Sequence, residues 1–283
     1  MHSRLRRGCG RRVFPAGWLA AAVLVVAGCG DDGGAGAERI MIVGSSTVAP
    51  VVGDIARAFE AIDGNVRIEV QTGGSTRGIL DVRDGLAQLG MVSRAPLAAE
   101  ADLGRFTLAH DGVAIVVHAD NPVLALERRQ VVDIFTGRVR DWSEVGPGSG
   151  TITVVSKAEG RSTLDVFAEH LGITYRDIRA DMVIGDNLQG IQAVTGNRLA
   201  IGYVAIGTAE YEAASGTPVR MIALDGYRPS SAAVAEGTYP LRRPLNLVYA
   251  GTPGEGASRL LQFMGSAEAA EIIQRHYFVP VQP

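Results

Sequence analysis

The sequence predicts an α/β fold built on short strands, and three observations carry that reading. Apolar runs bounded by Gly and Ser alternate with helical patterns along most of the chain. Four of those runs pass directly into turns rich in Ser and Thr that open a helical segment. Residues 39–283 have ordinary globular composition, enough for one large domain or two small lobes, and no repeat of solenoid length interrupts them.

Arg39 to Val43 (RIMIV) reads as the first strand and leads into Gly44-Ser45-Ser46-Thr47. Val48, Val51, Val52, Ile55 and Phe59 then recur at helical spacing on one apolar face. Val66 to Thr72 (VRIEVQT) alternates as a half-buried strand does, and Gly73-Gly74-Ser75-Thr76 opens a helix through Asp84. Gln88 to Val92 is a short strand, after which Ser93-Arg94-Ala95-Pro96 starts a helical turn, with Pro where a missing N–H does no harm. Asp111 to Val117 (DGVAIVV) reads as a buried strand punctuated by Asn121-Pro122.

A helix from Glu127 to Thr136 and a loop around Trp142 precede the strand Thr151 to Ser156. Gly160-Arg161-Ser162-Thr163 again stands before a helix, whose inner face carries Leu164, Phe167, Ala168 and Leu171. Asn187 to Thr195 is a helix stopped by Gly196, and Leu199 to Val204 a strand. Val219 to Leu224 and Leu245 to Tyr249 are the last strands, and Ser258 to Gln274 reads as one helix.

The first 28 residues are of another kind. Arg4, Arg6, Arg7, Arg11 and Arg12 stand there without one acid, ahead of an apolar run from Trp18 to Val26, which is the plan of a secretory signal. The run is too short for a spanning helix, which needs about twenty residues. It ends in Val26-Ala27-Gly28-Cys29, which resembles the lipobox of bacterial lipoproteins. That resemblance implies lipidation of Cys29 and an anchor on the extracytoplasmic membrane; the alternative is an ordinary signal peptide that a Cys happens to follow. Residues 29–38, with the stretch DDGGAGA, read as a flexible tether.

Of the two cysteines, Cys9 lies in the leader, so the mature chain holds neither an intrachain disulfide nor a Cys-based metal site. Removing the leader takes five arginines from the 27 Lys+Arg, leaving 22 against 30 Asp+Glu and a formal charge of −8. That balance excludes a nucleic-acid partner. An anion site here must be local and largely built from backbone, because the field of the whole protein repels anions.

A helix N-terminus offers unpaired N–H groups and the positive end of the macrodipole, so it holds an anion without formal charge. Gly admits close approach of the backbone, and Ser or Thr adds hydroxyl donors. One such turn is more often a plain helix cap. Four of them, each after a strand, can converge at the C-terminal ends of a sheet, where α/β proteins bind ligands.

Enzyme signatures are missing. No Gly-x-Ser-x-Gly elbow is present, the Gly73 to Gly78 turn fails the dinucleotide spacing, and the Gly160 turn lacks the Lys of a P-loop. His110, His118, His170 and His276 have no metal-ligand spacing, and Trp142 and Tyr203 read as core aromatics. No catalytic residue, metal or cofactor is expected; a secreted hydrolase is the remote alternative.

In order along the chain stand Gly44-Ser45-Ser46-Thr47-Val48, Gly74-Ser75-Thr76-Arg77-Gly78, Ser93-Arg94, Asp111-Gly112-Val113 and Ile134-Phe135-Thr136-Gly137 with Asp141-Trp142. Gly202-Tyr203-Val204 and Tyr239-Pro240-Leu241-Arg242-Arg243-Pro244-Leu245 follow. With these motifs the chain resembles, from Arg39 to Val281, the phosphate-binding subunits of bacterial phosphate ABC transporters, within the type II periplasmic binding proteins.

The resemblance implies a two-lobe fold with the ligand in the cleft, here residues 39–115 plus 223–283 as lobe 1 and 116–222 as lobe 2. It implies phosphate contacts from Ser46, Thr47, Ser75, Ser93 and Arg94, and Thr163 in the fourth turn. There Lys157 replaces the family's usual Arg, while Arg161 and Ser162 stand where the family has Ser and Gly. Lys157 then binds as a point charge or yields its role to Arg161. Arg94 and Arg161 also admit the reading of surface ion pairs. In many members an Asp follows the third-turn Ser and takes the proton of hydrogenphosphate; here Arg94 stands there. Asp111 is the candidate for that role, with a purely structural place at its strand as the alternative.

The implied partners are inorganic phosphate and an ABC permease with its ATPase, serving a monomeric receptor tethered to the membrane. The alternatives are a receptor for sulfate, molybdate or a phosphonate, and a phosphate sensor without its own permease.

Overall fold

The structure is a computed structural model and describes residues 37–281. The signal segment, Cys29 and most of the tether lie outside the described residues. Among the described residues no helix is long and apolar enough to cross a membrane.

In chain order the first half comprises β1 (Glu38–Gly44), α1 (Ala49–Ile62), β2 (Val66–Thr72), α2 (Ser75–Arg83), β3 (Leu89–Val92) and the long β4 (Leu103–His118). Next come β5 (Ala125–Leu126), α3 (Arg128–Phe135), β6 (Thr153–Lys157), α4 (Ser162–Leu171), β7 (Met182–Ile184) and α5 (Asn187–Thr195). The remainder is β8 (Ala200–Ala205), α6 (Ile206–Ala214), β9 (Val219–Met221), β10 (Ala223–Leu224), α7 (Ser231–Ala235), β11 (Arg242–Ala250), α8 (Glu255–Met264), α9 (Ala267–Arg275) and β12 (Val279–Pro280).

The α/β class expected from the sequence is the class observed. The strands run β2-β1-β3-β11-β4-β8-β6-β7 across one sheet, with β9 and β12 also on β4, and β5 pairs β10 apart. β2, β1 and β3 are mutually parallel, as are β8, β6 and β7. Antiparallel β11 and β4 join the two blocks.

Two main hydrophobic cores flank that junction. One gathers Val48, Val51, Val52, Ile55 and Phe59 of the first helical segment with α8, α9, Leu108 and Ala109 of β4, and Leu245 and Leu247 of β11. The other gathers Val113, Ala114 and Ile115 of β4 with Leu241, Trp142, Tyr203 and the inner face of α4. β4 therefore passes from one core to the other between residues 109 and 113, and the chain does so again between Leu241, just before β11, and Leu245.

Several expectations change. The third turn opens no α-helix; only a three-residue 3-10 turn, Ala98–Glu100, follows it, because Pro96 and an extended Leu97 break the backbone there. Ser258 to Gln274 is two helices, divided at Gly265 with Ser266 capping α9 through the Ala269 amide. Glu38, taken as the end of the tether, belongs to β1, and its carboxylate accepts the Gly256 amide at the start of α8. Helices α6 and α7 have no counterpart in the sequence reading, since neither carries a sustained apolar period.

Close approach of backbones explains the first glycine turn. Gly44 has φ +143°, and a Cβ there would stand 2.3 Å from the Met91 carbonyl oxygen. Its own carbonyl accepts the Gly73 and Gly74 amides, both at 2.9 Å, which ties the first turn to the second. Gly44→Ala is expected to destabilise by about 1–3 kcal/mol, because backbone atoms must move. Thermal unfolding checks this as a fall in Tm of roughly 2–4 °C per kcal/mol.

Candidate anion-binding site

The four hydroxyl turns meet where β4 and β11 change cores, and an arginine holds them together. In the β4–β11 register Arg243 stands opposite Asp111. Both side chains are 1% exposed, and Arg243 Nη2 lies 2.9 Å from Asp111 Oδ2, with Nε at 3.2 Å. The other Asp111 oxygen accepts the Gly207 amide in the first turn of α6. Asp111 thus fixes one edge of the guanidinium and leaves the rest of the fork to the turns.

Nη1 donates to Thr163 Oγ1 at 2.9 Å, to the Ser93 carbonyl at 3.2 Å and to Ser93 Oγ at 3.4 Å. Nη2 donates to Thr47 Oγ1 at 3.2 Å. Hydroxyls continue the network: Ser45 Oγ donates to Ser93 Oγ at 2.8 Å and accepts the Thr47 amide, while Ser75 Oγ accepts the Ser93 amide. Asn187, the first residue of α5, donates to Thr47 Oγ1 at 2.9 Å and brings a further helix N-terminus to the same place.

The fourth turn closes over the second. The Thr76 amide donates to the Gly160 carbonyl, and a Cβ on Gly74 would come within 2.7 Å of that oxygen. Gly74, at φ +93°, therefore has room for hydrogen only. Ser162 and Thr163 occupy the first two positions of α4, both buried, and Ser162 Oγ has no hydrogen-bond partner among the described residues.

Lys157 ends β6 in the same region. It is buried, and its Nζ likewise finds no hydrogen-bond partner among the described residues. Burial first, and Arg243 second, push its amine down to about 7, with Asp186 opposing and Arg161 adding to the fall. Its backbone amide donates to the Tyr203 hydroxyl, which burial pushes up to about 12. The buried Arg243–Asp111 pair is thus balanced within itself, and Lys157 stands beside it as a further buried basic group without a partner among the described residues.

The expected residues are not all gathered. Thr47, Ser75, Ser93, Asp111, Lys157, Ser162 and Thr163 come together. Ser46 is half-buried and lines a different groove, with Asp54, Asn187 and His276; Ser45, one position earlier, faces the cluster instead. Arg94 turns aside, because its fork donates to Glu100 at 2.6 and 2.8 Å and its Nε faces Asp165 at 3.5 Å. Asp111 has both oxygens engaged by Arg243 and Gly207. Arg161, half-buried, passes beside Gly74 toward Gly185, on the rim of the cluster.

Arg243, Ser45 and Asn187 escaped the sequence reading. Arg243 had a signal: Leu241, Arg243 and Leu245 share one strand face, and the two leucines are buried. Nothing local points to Asn187, which only the packing of α5 delivers.

An internal donor cluster between two α/β cores, fed by several helix N-termini and a buried arginine, has the chemistry to hold a small anion. Residues 31–268 match the family model described as the PBP superfamily domain, and the chain belongs to that superfamily.

Among solved structures, a phosphate ABC transporter substrate-binding protein from Clostridium perfringens, solved with bound phosphate, is similar at a TM-score of 0.79. It is 29% identical, over 87% of this chain and all of that one. An ABC-type phosphate transport receptor from Vibrio cholerae is 30% identical at a TM-score of 0.70, over 86% of this chain and all of its own. The phosphate-binding protein PstS of Bacillus subtilis is 24% identical over 93% of this chain and 92% of its own length. The match to PstS 2 of Streptococcus agalactiae serotype V is 38% identical but spans only 37% of that relative.

The buried pair and the buried lysine each give a measurable outcome. Asp111→Ala leaves Arg243 charged and unpaired, and is expected to cost about 3–5 kcal/mol in denaturant unfolding, while Asp111→Leu with Arg243→Met recovers most of the loss. For Lys157 the folded value lies below the unfolded one. Between about pH 7 and 10 the unfolded chain binds a proton that the native protein does not, so native stability rises with pH across that window. Below about 7 the penalty is full. Unfolding at pH 6 and 9 in phosphate-free buffer is expected to show this rise in the wild type and its loss in Lys157→Met.

Proposed function

We propose that the protein is the extracytoplasmic solute-binding component of a phosphate ABC transporter, a non-catalytic receptor that captures inorganic phosphate and delivers it to a permease. The observation that carries this reading is the buried cluster of Arg243, Lys157 and the Ser45, Thr47, Ser75, Ser93, Ser162 and Thr163 hydroxyls. Its donors suit a tetrahedral oxyanion, whose several oxygens each accept more than one hydrogen bond. The likeness to receptors from C. perfringens and V. cholerae over their whole length supports phosphate as that oxyanion.

Within this reading Asp111 orients Arg243, and Arg94 is held away from the anion by Glu100 and Asp165. The lobes meet where β4 and β11 change cores. Thr47, Ser75 and Ser93 come from one side of that crossing and Lys157, Ser162 and Thr163 from the other, so a bound anion stabilises their closed arrangement. Cys29 is the anchor point, after removal of the leader, and the receptor acts as a monomer.

Calorimetry and thermal unfolding test the reading. Phosphate at a hundred times its Kd is expected to add about 2.7 kcal/mol of stability. Thr163→Ala and Arg243→Lys are each expected to weaken phosphate at least about tenfold, in line with the loss of one charge-assisted hydrogen bond or more. Absence of phosphate binding, or full affinity in both variants, would place the ligand elsewhere.

A further inference from the structure

An anion that still carries a proton needs an acceptor in its site, and a fully ionised one does not. Of the carboxylates around the cluster only Asp111 is buried, and both its oxygens are engaged. Asp111 accepts from Gly207 and Arg243, Asp186 caps α5 through the Gln189 amide, and Glu100 and Asp165 face Arg94. The hydroxyls of Thr47, Ser93 and Thr163 already accept from Arg243. The Lys157 nitrogen is different, being buried with no hydrogen-bond partner among the described residues. Lys157 is also the only lysine in the chain, every other member of its 27 Lys+Arg being arginine. Arginine keeps its proton in any protein setting, whereas a buried lysine amine releases it readily. A chain that uses arginine everywhere else has, at this one point, a cation able to act as a base.

We propose that the Lys157 amine is the proton acceptor by which the site selects hydrogenphosphate over sulfate. The inference rests on the phosphate reading above. On binding, the O–H bond of hydrogenphosphate breaks and an N–H bond forms at Nζ, leaving an ammonium against a fully ionised phosphate with no proton drawn from solvent. Sulfate brings no proton, so its binding requires Lys157 to take one from solvent.

The charged groups that face Nζ are Arg243 of β11 and Arg161 before α4, which disfavour the ammonium, and Asp186 before α5, which favours it. The nearby Tyr203 hydroxyl of β8 bonds the Lys157 amide and Ser156 Oγ and stays neutral below about 12. With the amine uncharged above about pH 7, each further unit weakens sulfate about tenfold and leaves hydrogenphosphate untouched through this group.

A single lysine gives a single side-chain resonance, so protein labelled with nitrogen-15 at lysine reports Lys157 alone. Titrations with inorganic phosphate and with sodium sulfate at pH 7 and 9, joined to calorimetry in buffers of different ionisation heat, test the proposal. At pH 9 phosphate is expected to turn the amine signal into an ammonium signal with no net proton uptake. Sulfate is expected to lose about a hundredfold in affinity between pH 7 and 9 and to take up one proton. In Lys157→Arg the ratio of the two affinities is expected to lose that dependence. Phosphate that binds while Lys157 stays an amine, or that draws a proton from the buffer, overturns the proposal and leaves the phosphate reading standing. So does a sulfate affinity that is unchanged between the two pH values, undetectable at both included. Absence of phosphate binding at both pH values overturns the phosphate reading itself.

Discussion

The Asp111–Arg243 pair is the constraint around which the rest is arranged. A guanidinium with almost no solvent exposure is tolerable only if its donors are met, and here a carboxylate, a carbonyl and three hydroxyls meet them. Because Asp111 takes one edge of the fork, the other edge points at turns that are far apart in sequence. The pair sits on the two strands that both cores share, so its position is set by the sheet register rather than by a loop. A donor array mounted in that way needs little reorganisation to receive a ligand.

Short-range design also answers the charge of the chain. The chain has a formal net charge of −3, so no long-range field draws an anion in. What the site can offer an anion is confined to a few ångströms: the Arg243 cation, hydroxyl donors, and the N-termini of α2, α4 and α5. Glycine makes the compactness possible. At Gly44 and Gly74 a single methyl group would collide with the Met91 and Gly160 carbonyls, so the turns touch backbone to backbone.

The parts of this arrangement that repeat locally could be read from the sequence, and those made by the crossing could not. The apolar faces of the first helical segment and of α4 follow from spacing alone, and Thr47, Ser75 and Thr163 follow from their place between strand and helix. Ser46 rather than Ser45 is implied by the family resemblance, whereas in the fold it is Ser45 Oγ that bonds Ser93 Oγ. Arg94 is implied as a ligand by the resemblance, with an ion pair as the alternative, and its partner Glu100, six residues further on, meets it across the 3-10 turn. Arg243 was hidden for a related reason: its partners, Asp111, Thr163 and Thr47, lie 132, 80 and 196 residues away.

The strand that carries Arg243 has a consequence for how the molecule comes into being. β3 and β4 follow each other in the chain, yet β11 lies between them in the sheet. Until residue 242 and its successors have been made, the ribosome has released both neighbours of that strand but not the strand itself. Without that strand Asp111 has no counter-charge to face. Insertion of the last long strand then closes the sheet, neutralises the aspartate and aligns the hydroxyls in one event. A chain that stops short of this strand therefore has neither a closed sheet nor a complete pocket.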